Sequence, residues 1–186
     1  MSTEPGPALR GAGSETAILI TVALTTMLAP LNSTMIGVAL PDIMGEFATD
    51  LETGSWLVTA YLISMASLQP VCGKLGDRFG RRPLILAGLV YFGVASLGAA
   101  TASSLAELLI FRIQQGIAGA LALPNGMALV REIVPADRRA SRIGLLGSAI
   151  VLAAAGGPPL AGLLIRFAGW RAIFYVNLLL IVPALV

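Results

Sequence analysis

The chain has 186 residues, of which 56% are hydrophobic and 12% are charged, with a formal net charge of +2. Soluble domains carry about 25% charged residues, so the composition argues against an ordinary water-soluble globular protein. Cys72 is the single cysteine, which excludes an internal disulfide bond. The basic excess does not indicate a nucleic-acid partner, because the bases lie beside apolar segments, where membrane topology accounts for them.

Uncharged segments divide the chain into candidate membrane spans. A helix needs about 20 mostly apolar residues to cross a hydrocarbon core, and its backbone polar groups must be paired within the segment. We therefore predict an all-α polytopic membrane protein with five complete spans and a sixth that is truncated, because it is short for a crossing. The predicted spans are about 17–40, 54–73, 83–105, 107–130, 143–165 and 172–186. The truncated last span leads us to expect a piece of a longer protein.

The charges between the spans predict the orientation. The loops 74–82 and 131–142 hold four Lys or Arg each, whereas the segment between the first two spans holds four acids and no base. Because positive residues in short loops mark the cytoplasmic side, we predict a cytoplasmic N-terminus and an external acidic loop. Residues 1–16 are predicted to form a flexible cytoplasmic tail. Arg166 and Arg171 oppose this assignment.

The stretch GKLGDRFGRRPLI, residues 73–85, concentrates charge between two apolar runs. A positive-inside loop explains its bases but not Asp77 or the three glycines. Glycine suits a tight turn between antiparallel helices, and an acid at a helix end favours basic partners or another helix's N-terminus. The pattern resembles the signature loop between helices two and three of the major facilitator superfamily. The matching positions are Gly73, Leu75, Gly76, Asp77, Arg78, Gly80, Arg81 and Arg82.

This resemblance implies that the loop latches the two halves of a transporter on the cytoplasmic side. Asp77 would cap or contact the second half, and Arg81 would pair with an acid at the end of helix four, where Glu132 stands. The alternative is a plain solvated loop. We expect the latch, formed by Gly73, Asp77, Arg78, Gly80, Arg81, Arg82 and Glu132.

In the first span, LNSTMIGVALP, residues 31–41, resembles the first-helix motif of the fourteen-helix drug:proton antiporter branch. Asn32 replaces the acid of that motif, and Thr34 matches it. Asn32 cannot titrate, but it can hydrogen-bond a substrate or a neighbouring helix, and both possibilities stay open. Asn32 and Thr34 are candidates for the substrate or proton pathway.

In the fourth span, RIQQGIAGALALP, residues 112–124, resembles the motif R-x-x-Q-G-x-G-x-A. Arg112 and Gln115 lie three residues apart and therefore share a helix face. Arg112 and Gln115 are therefore further candidates for the substrate or proton pathway, and the resemblance implies that Arg112 takes part in proton transfer or in its coupling to conformation. The alternative is an arginine that reaches the outer headgroups.

In the fifth span, AAAGGPPLAG, residues 153–162, resembles an antiporter motif through Gly157, Pro158 and Gly162. Proline kinks a helix, and small residues beside it permit close contact with a neighbour. The resemblance implies that this helix sets the export direction and seals the halves. The alternative is a packed, kinked span without that role.

The stretch GWRAIFYVNL, residues 169–178, resembles the entry to helix six. With this motif the resemblance runs from about residue 17 to 186 and covers the N-terminal six-helix half. It implies a transporter of the plasma membrane that exports hydrophobic drugs or other small molecules by rocking around a midplane site. We expect a proton gradient as the energy source and no cofactor or metal. The expected partners are the lipid bilayer, a small-molecule substrate and the missing C-terminal half. The alternative is a transport-inactive fragment or regulatory half. An enzyme is disfavoured, because the spans lack a nucleophile–base pair and metal ligands.

Overall fold

The computed structural model describes residues 12–184, and their side chains from Ala17 onward. Within this part of the chain all regular structure is helical, which confirms the predicted all-α fold. The helices are α1 (Ala12–Phe47), α2 (Leu51–Phe79), α3 (Arg81–Thr101), α4 (Leu105–Ile133), α5 (Ala136–Ala168) and α6 (Ala172–Ala184). The first five are long and apolar enough to cross a membrane, and α6 is a shorter apolar helix.

Helices replace most of the two predicted basic loops. Only Gly80 separates α2 from α3, and only Val134 and Pro135 separate α4 from α5. The bases remain in helical ends because exposed Lys and Arg are good helix formers. Among Gly73, Gly76 and Gly80, only Gly80 has a positive φ, of 91°. Gly73 and Gly76 lie within α2 and have no positive φ, so the tight turn depends on Gly80 alone.

The helices extend beyond most of the predicted spans, and two predicted segments include residues that the structure assigns differently. α1 begins at Ala12, so residues 12–16 of the predicted flexible tail are helical, and residues 1–11 lie outside the described part. The predicted span 83–105 passes the end of α3 at Thr101. The reason is a cap: the Ser104 hydroxyl accepts from the Glu107 backbone N–H at 3.2 Å, and the Glu107 carboxylate accepts from the Ser103 backbone N–H at 2.8 Å. Such a reciprocal Ser-x-x-Glu arrangement starts a helix.

The contacts made by the first three helices correspond to those made by the last three. α4 lies against α2 and α3, α1 packs along α5, and α6 contacts α1 and α3. If α1, α2 and α3 are exchanged with α4, α5 and α6 in that order, the contact of α2 with α4 corresponds to that of α5 with α1. The contact of α3 with α4 then corresponds to that of α6 with α1. This is the arrangement of two three-helix repeats, which an odd number of crossings places in opposite orientations.

Small residues let α4 approach its two neighbours closely. A Cβ on Gly116 would lie 2.5 Å from the Tyr61 carbonyl oxygen of α2, and one on Gly88 would lie 2.9 Å from the Ala118 carbonyl oxygen. Backbone contact at this distance is the common way in which helices associate in lipid.

The helix ends define two faces of the bundle. The basic face is the end that carries the α2–α3 and α4–α5 turns, and the acidic face is the end that carries the α1–α2, α3–α4 and α5–α6 turns. Between them the outside of the bundle is apolar: Leu152 of α5 and Leu179 of α6 are 70% and 72% exposed. Such a belt suits contact with lipid chains better than with water.

Candidate functional site

Arg112 is the largest fully buried side chain among the described residues. Its Nε donates to the Leu57 carbonyl of α2 at 2.9 Å, and its Nη1 donates to Gln115 Oε1 at 2.7 Å and to Asn32 Oδ1 of α1. The guanidinium carbon also lies 4.2 Å from the centre of the Tyr61 ring. The structure thus joins Asn32, Arg112 and Gln115 inside the bundle, and the alternative of an arginine reaching the headgroups is wrong.

The cluster continues to two residues that sequence reasoning missed. Gln115 Nε2 donates to Ser96 Oγ of α3 at 2.8 Å, and Asn177 Nδ2 of α6 donates to the same oxygen at 3.3 Å. Both residues are fully buried. The only sequence signal was a polar residue inside an apolar span, which is usually paired when buried. The Arg112 cluster, as we call these two residues together with Asn32, Arg112 and Gln115, therefore joins α1, α3, α4 and α6, and the Leu57 carbonyl adds α2.

Among the described residues, only neutral groups accept hydrogen bonds from the Arg112 guanidinium. The three oxygens that accept from the guanidinium belong to a backbone carbonyl and two amides. Arg112 Nη2 and Asn32 Nδ2 have no hydrogen-bond partner among the described residues. Inside a low-dielectric bundle such unpaired groups are costly and are usually tied to function.

Thr34 faces a different neighbour from Asn32. Its hydroxyl donates to the Pro30 and Leu31 carbonyls, both at 3.0 Å, and lies 1.9 Å from where a Cβ on Gly157 of α5 would stand. Thr34 therefore marks the α1–α5 contact and is not part of the Arg112 cluster. It also borders a groove of about 350 Å³, lined by Thr26, Ala29, Pro30, Ser33, Thr34, Leu62, Met65, Leu123 and Ile150.

The three predicted kink residues of α5 have different surroundings. Pro158 lies inside a helix that is continuous from Ala136 to Ala168. Gly157 is buried against α1, whereas Gly162 is exposed and has open space around it. Within the described residues the predicted close contact thus forms at Gly157 and not at Gly162.

On the basic face, one guanidinium joins the predicted latch residues. Arg81 Nε lies 2.5 Å from Glu132 Oε1 of α4, and Arg81 Nη2 lies 2.6 Å from Asp77 Oδ1 of α2. The Asp77 and Glu132 side chains are 61% and 54% exposed, so ion pairs of this kind contribute about 0–1 kcal/mol each. These ion pairs therefore orient the side chains at the turn and add little to the stability of the fold. Gly73 lies one turn earlier in α2 with only Pro124 near it, and Arg78 and Arg82 are exposed.

On the acidic face, Arg171 is held by several groups that the sequence did not link. It contacts both carboxylate oxygens of Glu46, at 2.7 and 2.8 Å, and donates to the Ala102 carbonyl at 3.0 Å. The hydrogen bond to Glu46 raises the pKa of Arg171 above its ordinary value. An arginine that opposes the charge rule for orientation therefore has an acidic partner at the same face.

Comparison with known proteins identifies the family. Residues 22–186 match the Major Facilitator Superfamily. The chain belongs to this superfamily. Six helices with five membrane-span candidates make it a multi-pass membrane protein of that family.

Bacterial transporters are among the curated proteins that the chain resembles. The chain is 40% identical over 164 residues to the uncharacterized MFS-type transporter YvkA of Bacillus subtilis, covering 88% of the chain and 37% of that protein. It is 35% identical to the tetracenomycin C resistance and export protein of Streptomyces glaucescens, covering 98% of the chain and 34% of that protein. It is also 35% identical to the multidrug transporter protein MdtP of Bacillus subtilis, covering 90% and 31%. The chain thus spans about a third of the length of these relatives.

Solved facilitator structures share the fold. The proton:xylose symporter XylE matches 95% of the chain and 44% of its own, with a TM-score of 0.81 and 20% identity. A bacterial homolog of the human lysosomal transporter Spinster matches 95% and 43%, with a TM-score of 0.82 and 18% identity. The six helices therefore have the architecture of the N-terminal half of a facilitator, as the sequence predicted.

Proposed function

We propose that the chain forms the first half of a fourteen-helix drug:proton antiporter that exports hydrophobic small molecules across the plasma membrane. The observation that carries this proposal is the Arg112 cluster, a positive charge buried inside a bundle whose helices α1, α2 and α4 also line an apolar groove. Intramembrane charges are expensive and mark ion or substrate pathways. Two relatives named for export or multidrug transport support the efflux direction.

In this proposal the groove binds the substrate, and the Arg112 cluster takes part in proton coupling. The groove is lined by apolar side chains and a few hydroxyls, which favours a hydrophobic substrate with few polar groups. Asn32 and Gln115 hold the Arg112 guanidinium in place from two helices. Because Asn32 cannot titrate, the carboxylate that carries the proton would come from the C-terminal half, and Arg112 would stabilise its charged form.

The basic face supplies the conformational part of the proposal. Arg81 joins Asp77 and Glu132, which leaves Asp77 at the surface where the second half would contact it. This arrangement supports a latch that favours the state closed on the cytoplasmic side. Substrate would then be released outward by rocking of the two halves.

Transport by the full-length protein tests the proposal. In inside-out vesicles with an imposed proton gradient, we expect uptake of hydrophobic drugs that stops when the gradient is dissipated. Arg112→Ala should reduce uptake at least about tenfold, because it leaves buried acceptors unpaired and removes the charge. Arg131→Ala, an exposed base at the end of the same helix, is the matched control. Uptake that persists without the gradient would contradict proton coupling, and normal uptake by Arg112→Ala would contradict the site.

The alternative is a transport-inactive fragment or regulatory half, which the one-third coverage of the relatives favours for the chain as given. One half provides only one wall of a midplane site. We therefore expect no drug export when the 186 residues are expressed alone and recovered in the membrane. Export by these residues alone would show that no second half is needed.

A further inference from the structure

The acidic face carries a clamp that resembles the predicted latch on the opposite face. We infer that Glu46 and Arg171 are positioning residues for the transport cycle, and that their contact favours the state closed on the acidic face. This inference rests on the proposed function, because it needs two halves that alternate between states. It adds a second set of residues, on the face where no latch was predicted.

The acidic-face clamp joins three segments through one side chain. Arg171, in the α5–α6 turn, contacts both carboxylate oxygens of Glu46 at the end of α1 and the Ala102 carbonyl between α3 and α4. A bidentate arginine–carboxylate contact fixes orientation as well as distance. The ends of α1, α3 and α5 are therefore held together at this face.

Trp170 anchors the clamp to the apolar interior. Its side chain is buried, and its Nε1 donates to Glu46 Oε2 at 2.7 Å. Its ring packs edge-on against Phe47 and Phe174, with centroids 6.0 and 6.1 Å apart, and the Arg171 guanidinium lies 4.2 Å above it. These contacts hold Arg171 and Glu46 in one arrangement, which distinguishes the clamp from a mobile surface ion pair.

The two turns have the same construction. Gly80 ends α2 with φ of 91°, and Gly169 ends α5 with φ of 75°. Each glycine N–H donates at 3.0 Å to the carbonyl four residues earlier. The left-handed conformation favours glycine at both positions. An arginine follows directly in the first case and two residues later in the second, at Arg81 and Arg171.

The acids that these arginines contact also correspond. Glu132 is the last residue but one of α4, and Glu46 is the last but one of α1. Exchange of the two three-helix repeats relates α4 to α1 and the α2–α3 turn to the α5–α6 turn. The acidic-face clamp is therefore the counterpart of the Arg81–Glu132 pair, on the opposite side of the membrane because the repeats are inverted.

This symmetry predicts opposite effects of the two contacts. A contact shifts a conformational equilibrium only if it stabilises one state more than the other. Removing the contact on the basic face should disfavour the state closed on the basic face. Removing the contact on the acidic face should disfavour the state closed on the acidic face. The variants Arg81→Ala and Arg171→Ala should therefore shift the populations in opposite directions.

The test uses a cysteine reporter in the groove of the full-length protein. Ser33 lines the groove, so Ser33→Cys is introduced after Cys72 and any other cysteine have been replaced. A membrane-impermeant maleimide, added from the side of the acidic face, reports how often the groove opens to that side. We expect Arg171→Ala to raise the labelling rate about threefold or more, and Arg81→Ala to lower it. Glu46→Gln should act like Arg171→Ala, which keeps the test valid if that variant is not recovered.

Two further variants separate positioning from a general loss of packing. Arg166→Ala removes an exposed base from the same face and should leave the labelling rate unchanged. The charge exchange Glu46→Arg with Arg171→Glu should restore the rate toward that of the parent. Shifts of Arg171→Ala and Arg81→Ala in the same direction, or no shift for Arg171→Ala, would overturn the inference while leaving the proposed function intact. Labelling from one side only in every variant would overturn alternating access itself.

Discussion

At the scale of single residues, Asn32 decides how the Arg112 charge is held. Its Oδ1 accepts from the guanidinium, whereas its Nδ2 has no partner among the described residues. The oxygen is therefore the part of the side chain that the structure uses. A carboxylate of the same size would keep this acceptor and add a charge opposite to that of Arg112.

We expect Asn32→Leu and Asn32→Asp to have different effects on stability. Asn32→Leu should lower the free energy of unfolding by about 2 kcal/mol, because a buried charged donor loses its acceptor. Asn32→Asp should cause a smaller loss, because the ionic contact with the guanidinium offsets the cost of burying the carboxylate. Thermal unfolding of the two variants in one detergent at neutral pH compares them. Equal unfolding temperatures for Asn32→Leu and the parent would show that the contact has no energetic role.

Asn125 and Gly76 form the closest glycine contact in the described part of the chain. Asn125 Nδ2 donates to the Cys72 carbonyl at 3.0 Å and to the Leu121 carbonyl at 2.7 Å. Its Oδ1 lies 1.6 Å from where a Cβ on Gly76 would stand. Gly76 is therefore required here by close approach and not by backbone angle, and it precedes Asp77 directly.

Gly76→Ala should separate α2 from α4 and expose Cys72, which is buried. We expect alkylation of Cys72 by N-ethylmaleimide to become about tenfold faster, because one methyl group forces the helices apart. Gly93→Ala is the control, since its Cβ would meet Ile181 and Leu178 only at 3.6 Å. Adding Asn125→Ala to Gly76→Ala should slow the reaction again. A double variant that reacts faster than both single variants would contradict the steric explanation.

At the scale of elements, the α1–α5 pair depends on one glycine. α1 and α5 pack along each other, and the Thr34 hydroxyl fills the space beside Gly157. Proline at the next position weakens the helix locally, so the close contact is what holds this part of α5 against α1. The neighbouring Gly156 has open space around it and offers a matched comparison.

Gly157→Ala should destabilise the pair, whereas Gly156→Ala should not. A Cβ at 1.9 Å from the hydroxyl requires a shift of the helices, and overpacking of this kind costs about 1–3 kcal/mol. The unfolding temperatures of the two variants in detergent measure the difference. Thr34→Ala should partly rescue Gly157→Ala, because it removes the clashing oxygen. If both glycine variants unfold together, the contact is looser than the structure indicates.

At the scale of the whole molecule, the two faces differ in their charges. The basic face carries the bases of the α2–α3 and α4–α5 turns, and the acidic face carries the acids between α1 and α2. Arg171, the base that opposes this separation together with Arg166, is paired with Glu46.

We expect the basic face to lie in the cytoplasm. In intact cells that express a variant without Cys72, Arg78→Cys should resist a membrane-impermeant maleimide, whereas Glu52→Cys on the acidic face should react. Both residues are exposed, so protection within the protein does not explain a difference. Reaction of the cysteine at position 78 from outside would reverse the predicted orientation.

Sequence alone determined the number, type and approximate position of the helices, because lipid imposes apolar segments of a fixed minimum length and forces their backbones to pair internally. It also placed Arg112 and Gln115 on one helix face, since their spacing is local. Only the tertiary structure decided which side chains meet between helices: Ser96 with Asn177, Thr34 with Gly157, and Glu46 with Arg171. These partners lie 81 or more residues apart in the chain, and their contact depends on how each helix is rotated against its neighbour. Apolar composition without a strong periodicity does not encode that rotation, so it is set by the close approach of small residues and by the pairing of the few polar groups that the bundle buries.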